Sequence, residues 1–315
     1  MKPLIALPIH TFKALFNTLR YLPLVVRTHF AAKLLDRRNE TSAVSSGEEQ
    51  VSNYNQVMSS RLAVFYAIAL QAVYRAFSPG KRRRHLDIAH GPGHFSLLAN
   101  DLLQLEKTTG VDRSAPMVAI ANKNAAASSR NGLVSFVEGD ATNLSAFESN
   151  SIDLVTMTFA SHHLPTHSNL RQAIAEMDRI AAPEGLVALI DLIRLPTAAI
   201  TEDFVKLAGR DYITKGWPAF YDDFYQSMYA AWTTEEMTSA VPRHSPRKWV
   251  LLANGGIPTL QILLGFPANQ ATPFVRGAAP WRFAPPFLAP DLIPEWWLAK
   301  IFQFMGKKID IETDF

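Results

Sequence analysis

Between residues 51 and 266 short apolar runs alternate with longer stretches in which apolar positions recur every three or four residues. The short runs have strand length and the longer ones the helical period, so the pattern predicts strands and helices in strict succession. Strands are expected at HLDIA (85–89), at a run ending GVD (110–112), at LVSFVEGD (133–140), SIDLVTMTF (151–159) and GLVALIDL (185–192). Helices are expected over 94–107, 116–129 and 168–182, the last with Leu170, Ile174, Met177 and Ile180 on one face. RLAVFYAIALQAVYRAF (61–77) is apolar around most of its circumference and predicts a buried helix. Such alternation implies an α/β fold with parallel strands joined by right-handed crossovers. KWVLLAN (248–254) and TLQILLGF (259–266), either side of a Gly-Gly turn, predict an antiparallel closing pair.

The two ends differ from this middle zone. Residues 1–50 read as an apolar, basic extension, with no acid before Asp36, followed by a Ser- and Glu-rich linker or exposed loop at 37–50. Residues 267–315 are crowded with proline and aromatics, which excludes regular helix or central strand over the proline-dense part. Lys13, Arg20 and Arg27 recur every seven residues among Leu, Ile, Val and Phe, and EWWLAKIFQFMGKK (295–308) sets Trp296, Trp297, Phe302 and Phe304 beside lysines. This is the makeup of a peripheral membrane anchor. It equally suits segments packed on the domain as extra core or in a homodimer interface. No apolar run reaches the roughly 18–20 residues of a membrane span, so the expected location is cytoplasmic, with peripheral contact at the inner face of the membrane.

Composition narrows the chemistry. With 48% hydrophobic and 19% charged residues the 315-residue chain is globular, and a net charge of +3 argues against a nucleic-acid partner. The absence of cysteine removes disulfides, thiolate nucleophiles and Cys-based metal sites.

In an open parallel sheet ligands bind beyond the carboxyl ends of the strands, so those ends carry the candidate site. The first predicted strand runs through Asp87 and Ala89 into His90-Gly91-Pro92-Gly93 and directly into a helix. Glycines there let backbone approach a ligand, and the helix start offers free N–H groups. The second ends at Asp112, placed either to accept from ribose hydroxyls or to cap the next helix. The third ends at Asp140-Ala141, where a carboxylate can take an adenine amino group.

LDIAHGPGHFSLLA (86–99), GVDRSAPMVAIA (110–121), VEGDATNL (137–144), IDLVTMTFASHHLP (152–165) and LRQAIAEMDRIAAPEGLVALIDLIR (170–194) together resemble the class I S-adenosylmethionine-dependent methyltransferases, in particular the branch with the ubiquinone and menaquinone methyltransferases. The resemblance covers about 51–266 and implies a Rossmann-like three-layer sandwich, its mostly parallel seven-stranded sheet closed by an antiparallel pair. It implies S-adenosylmethionine as cofactor, with Asp87, Ala89, Gly91 and Gly93 around the methionine moiety, Asp112 at the ribose, Asp140 and Ala141 at the adenine, Phe159 along the cofactor, and Arg113 among the cofactor-binding residues. The family's usual glycine is Ala89 here. That departure keeps open a repurposed, non-catalytic methyltransferase fold. An NAD(P)-dependent oxidoreductase fits less well, since the glycine turn continues to Ser96 without a third Gly or Ala.

His162 and His163, just after the fourth strand, have the pKa to serve as a general base, or they cap and pack. No metal is expected, because His162, His163 and His167 lack a matching carboxylate motif nearby. The resemblance implies that the aromatic insertion at about 201–237 helps cover a pocket for a hydrophobic small-molecule acceptor of fatty-acyl, quinone or polyketide type, and the same aromatics equally suit a helical cap packed on the sheet. Methyl transfer to oxygen, or in second place to carbon, is the resulting expectation.

Overall fold

The computed structural model describes residues 19–33, 35–40, 48–77, 83–270, 281, 284–304 and 306–314. Its sheet has the order β3-β2-β1-β4-β5-β7-β6-β8. The strands are β1 Arg84–Ile88, β2 Lys107–Asp112, β3 Val134–Glu138, β4 Ile152–Thr158, β5 Ala181–Leu192, β6 Arg247–Ala253, β7 Leu260–Pro267 and β8 Lys307–Ile311. β1 to β5 are parallel, and β7 inserts antiparallel between β5 and β6. The chain winds outward from β1 to β3, then returns to lay β4 on the other side of β1, so order reverses between β1 and β4.

The helices are α1 (19–30), α2 Glu48–Ser60, α3 Ala63–Ala76, α4 His94–Leu103, α5 Ala115–Ala127, α6 His167–Ile180, α7 Ala198–Ala208, α8 Arg210–Thr214, α9 Pro218–Ala230, α10 Thr234–Ser239 and α11 Ile293–Phe304. Core side chains alternate along the central strands. Leu154 and Ala188 pack with α3, α4 and Trp296, whereas Val155 and Leu189 pack with Leu170, Ile174 and Met177 of α6. Burial on both faces explains why these strands read as continuous apolar runs.

The eighth strand corrects the seven-strand expectation. β8 pairs antiparallel with β6 through Leu251 and Ile309. Its KKIDI sequence sits at a sheet edge with mostly exposed side chains, and an edge strand keeps its charges in water instead of showing an apolar pattern.

The outer segments also contribute core. Tyr21, Leu24 and Val25 of α1 pack on Leu195, Ile200 and Met228, and Trp296 of α11 is fully buried against α3. Arg27 pairs with Asp203 at 2.5 Å. Lys13, the proline-dense 271–280 and the side chains of Phe302 and Phe304 lie outside the described residues. Among the described residues no single helix is long and apolar enough to cross a membrane. The α2–α3 pair, bent by 56°, has the length and composition of a broken span, but α3 is a core helix.

Candidate functional site

The loops after β1 and β4 meet at the point where strand order reverses. Ala89 (φ 53°) directly follows β1 and Phe159 (φ 52°) directly follows β4, both in the left-handed region. Each costs on the order of 1 kcal/mol for a residue with a Cβ. Backbone bonds hold them there: Ala89 N–H donates to Val111 O at 2.6 Å and Phe159 N–H to Ile190 O at 2.8 Å. Gly93 (φ 80°) begins α4 with no side-chain cap, and a Cβ on it would lie 2.5 Å from Phe136 Cζ. Gly91 has open space where its Cβ would be. The turn is therefore bare backbone beside uncapped N–H groups.

Asp87 is fully buried beneath this turn. Its carboxylate accepts from Ser96 Oγ at 2.5 Å and Thr156 Oγ1 at 2.7 Å, and burial pushes its pKa up to about 7. Thr156 also meets His85 Nε2 at 2.8 Å, so Asp87 ties β1, β4 and α4 together. Asp112 sits nearer the ligand edge, accepting from Gly91 N–H and Ser114 N–H, both at 2.9 Å. It thus fixes the glycine turn and leaves further lone pairs for a hydroxyl. Ser114, not Asp112, is the α5 N-cap. Asp140 is exposed and accepts from Thr142 N–H and Oγ1 at 2.8 Å. These bonds, helped by exposed Arg113, hold its pKa below the usual carboxylate value. Ala141 packs at the edge of the core.

The two histidines separate in environment. His162 is buried, with Nδ1 2.7 Å from Asp191 Oδ1 and its backbone N–H donating to Asp191 Oδ2 at 2.9 Å. Burial alone would depress its pKa, but the Asp191 charge and hydrogen bond outweigh it and push the value up to about 8. His163 is 41% exposed and pairs through Nδ1 with buried Glu40, which also accepts from Ser227 Oγ at 2.9 Å. Arg37 staples this loop down. Its guanidinium donates to the carbonyls of His162 and Leu164 at 2.8 Å and stacks 3.6 Å over the Trp232 ring.

Residues 37–40 are therefore part of the site, which corrects the reading of 37–50 as a linker; residues 41–47 lie outside the described residues. The carboxylate that the neighbouring sequence lacks arrives through Glu40. Its oxygen and nitrogens of both histidines come within 4.8 Å of one another, a grouping that could hold a cation.

His162 and Phe159 line one part of a cavity of about 830 Å³. Phe65 of α3 and Phe204, Tyr212, Phe220 and Phe224 of the inserted helices form much of its wall. Asp223 is also there, its Oδ1 buried without a partner and its pKa pushed up to about 7 by burial and by Glu40.

A family profile described as a methyltransferase domain matches residues 86–189, the stretch that carries the carboxyl ends of β1 to β4. A demethylmenaquinone methyltransferase of Leptospira interrogans is 32% identical over 107 residues, 34% of this chain and 42% of that protein. A ubiquinone/menaquinone biosynthesis C-methyltransferase of Ruegeria sp. is 24% identical over 170 residues, 54% of this chain and 66% of that one. The chain thus spans less than two thirds of the length of these relatives. The crystal structure of a plantazolicin methyltransferase, in complex with a triazolic analogue and SAH, shares the fold at a TM-score of 0.52 and 14% identity, covering 70% of this chain and 91% of that one. Residues 86–189 match a methyltransferase domain, whose cofactor is S-adenosylmethionine.

The methyltransferase edge fits that cofactor. Uncapped N–H groups at α4 suit the methionine carboxylate, the space over Gly91 admits a ligand, and Asp112 and Asp140 stand at successive strand ends. Asp87, buried with both oxygens engaged below the turn, positions that edge. The sequence reading missed Asp191, Glu40, Arg37 and Asp223. Asp191 was within reach of the rule that singled out Asp112, being an acid near the carboxyl end of a parallel strand. Glu40 and Arg37 carry no local signal.

Proposed function

We propose that the protein transfers a methyl group from S-adenosylmethionine to an oxygen of a hydrophobic small molecule of fatty-acyl, quinone or polyketide type, with His162 as general base. The observation that carries this reading is the Asp191–His162 pair, which stands where the Phe159 edge meets the apolar cavity. Bound cofactor supplies an already activated methyl carbon, so the residues of this chain have to align the acceptor, keep water out and take a proton. Nδ1 of His162 is given to Asp191, which leaves Nε2 for the cavity that His162 lines. A base whose conjugate acid titrates near 8 suits a phenol, quinol or enol better than an alcohol. His163, paired with Glu40 and half exposed, supports the loop and is the secondary candidate. A carbon acceptor is the second reading, favoured by the Ruegeria relative's description as a C-methyltransferase; removing a quinol proton would equally activate a ring carbon.

α1 supports a route for such an acceptor. Leu19, Leu22, Val26 and Phe30 are 56%, 54%, 50% and 81% exposed at helical spacing, while Arg20 and Tyr21 of the same helix line the cavity. An apolar stripe with flanking cations suits peripheral contact with an anionic membrane. Incubating the protein with methyl-labelled cofactor and extracts of lipids and small molecules, followed by mass spectrometry, tests the function. Labelled products in the apolar fraction are expected, and label confined to the cofactor pool refutes the reading.

A further inference from the structure

α3 runs along the cavity. Phe65, Ile68, Ala72 and Arg75 line it at three- and four-residue intervals, so one face of the helix makes a wall. At one end Phe65 packs on Phe159, with ring centroids 5.9 Å apart. At the other end, about 15 Å away by the helical rise, the wall finishes in a cation. Arg75 makes no hydrogen bond or ion pair with any described residue, and its Nε is buried without a partner. Lys300 of α11 lines the cavity too, its ammonium donating to Gln71 Oε1 at 2.6 Å. Burial and then the Arg75 charge push the Lys300 pKa down to about 8. Two cations close enough to disfavour each other, beside an apolar cavity, form an arrangement that an anion would relieve.

We infer that Arg75 and Lys300 bind an anionic group, carboxylate or phosphate, at the far end of an elongated apolar acceptor whose nucleophile faces His162. The inference rests on the cavity being the acceptor site and adds that the acceptor is polar at both ends. A fatty acid methylated on its own carboxylate would place its only anion at the wrong end, so the inference separates it from hydroxylated or ring-bearing acids and phosphates.

Calorimetric titration of the full chain with dodecanoate, dodecyl phosphate and dodecanol, each below its micelle concentration, tests this. Both anions, or the one the site is built for, should bind roughly tenfold or more tightly than dodecanol, and their ranking tells carboxylate from phosphate. Arg75→Gln and, separately, Lys300→Gln should bring the anions toward the affinity of dodecanol and leave dodecanol itself unchanged. Should Arg75→Gln fail to fold, Lys300→Gln carries the comparison. Equal binding of alcohol and anions by the unaltered protein, or an anion preference that survives both substitutions, overturns the inference while leaving the cavity reading standing. Failure of all three ligands to bind overturns both.

Discussion

The cofactor edge and the apolar cavity lie side by side yet are built differently. The edge uses strand ends within 86–159, backbone N–H groups and carboxylates that hold a glycine turn. The cavity gathers side chains from α1, α3, the inserted helices and α11, with Glu40 reaching His163 from far back in the chain. Backbone chemistry leaves a local trace in sequence, because only certain residues tolerate the required φ or approach. Convergence of side chains leaves none, since each member is unremarkable where it stands. On the proposed reading, the edge can be shared across a family while the cavity is particular to its acceptor.

The sharpest way to break this division is at its seam. His162→Ala should lower turnover by about 10²-fold or more while cofactor affinity stays the same. His163→Ala should cost less, being outside the Asp191 pair. Because the base must be neutral, the rate should rise with pH through about 8, and Asp191→Asn should move that midpoint down and slow the reaction. A near-normal rate in His162→Ala would make catalysis a matter of alignment alone.

A second cut tests the edge by itself. Asp112→Asn should weaken S-adenosylmethionine binding by about 1.5–3 kcal/mol, the scale of a charge-assisted hydrogen bond, without changing the binding of an apolar ligand in the cavity. Equal loss on both sides, measured by calorimetry, would show that the two regions are one cooperative unit.

Beneath the edge, Asp87 sets a stability dependence on pH. Its folded pKa of about 7 stands above the ordinary 3.8, so the folded state holds the proton more tightly. Its contribution is present below about pH 4 and is lost as pH rises to about 7. Asp87→Asn should flatten that part of the profile in thermal melts, and an unchanged profile would assign the dependence elsewhere.

The smallest effect belongs to the outer surface. Leu22→Asp with Phe30→Asp should reduce co-sedimentation with anionic vesicles, most visibly at low salt, and leave turnover of a dispersed acceptor intact. Full-length protein that stays in solution with all vesicles would make α1 a packing element only.

The same contrast explains what could be read beforehand. β1 to β7 and α3 to α6 were legible because strands read as short apolar runs bounded by turns, and the helices as longer runs with a helical period or, for α3, an all-round apolar surface. β8 was hidden by its charged edge sequence, and α2, EEQVSNYNQVMSS, by its polarity. The Gly91-x-Gly93 turn and Asp112 stood out as residues suited to a strand end, and the His162–His163 loop did so by position. Arg37 and Glu40 looked like spacer, since nothing in RRNE announces a partner loop more than a hundred residues away.

Arg37 also sets a timetable. It is synthesised 193 residues before Ala230, whose carbonyl accepts from its Nε at 2.7 Å. At roughly 5–20 residues per second, the ribosome needs about 10–40 s to deliver that partner. For most of that interval, until residues 162–164 are made, Arg37 and Glu40 wait without the loop that they hold. The strands of the cofactor edge can pair among themselves meanwhile, so the His162 loop is pinned only after the edge that it adjoins can form.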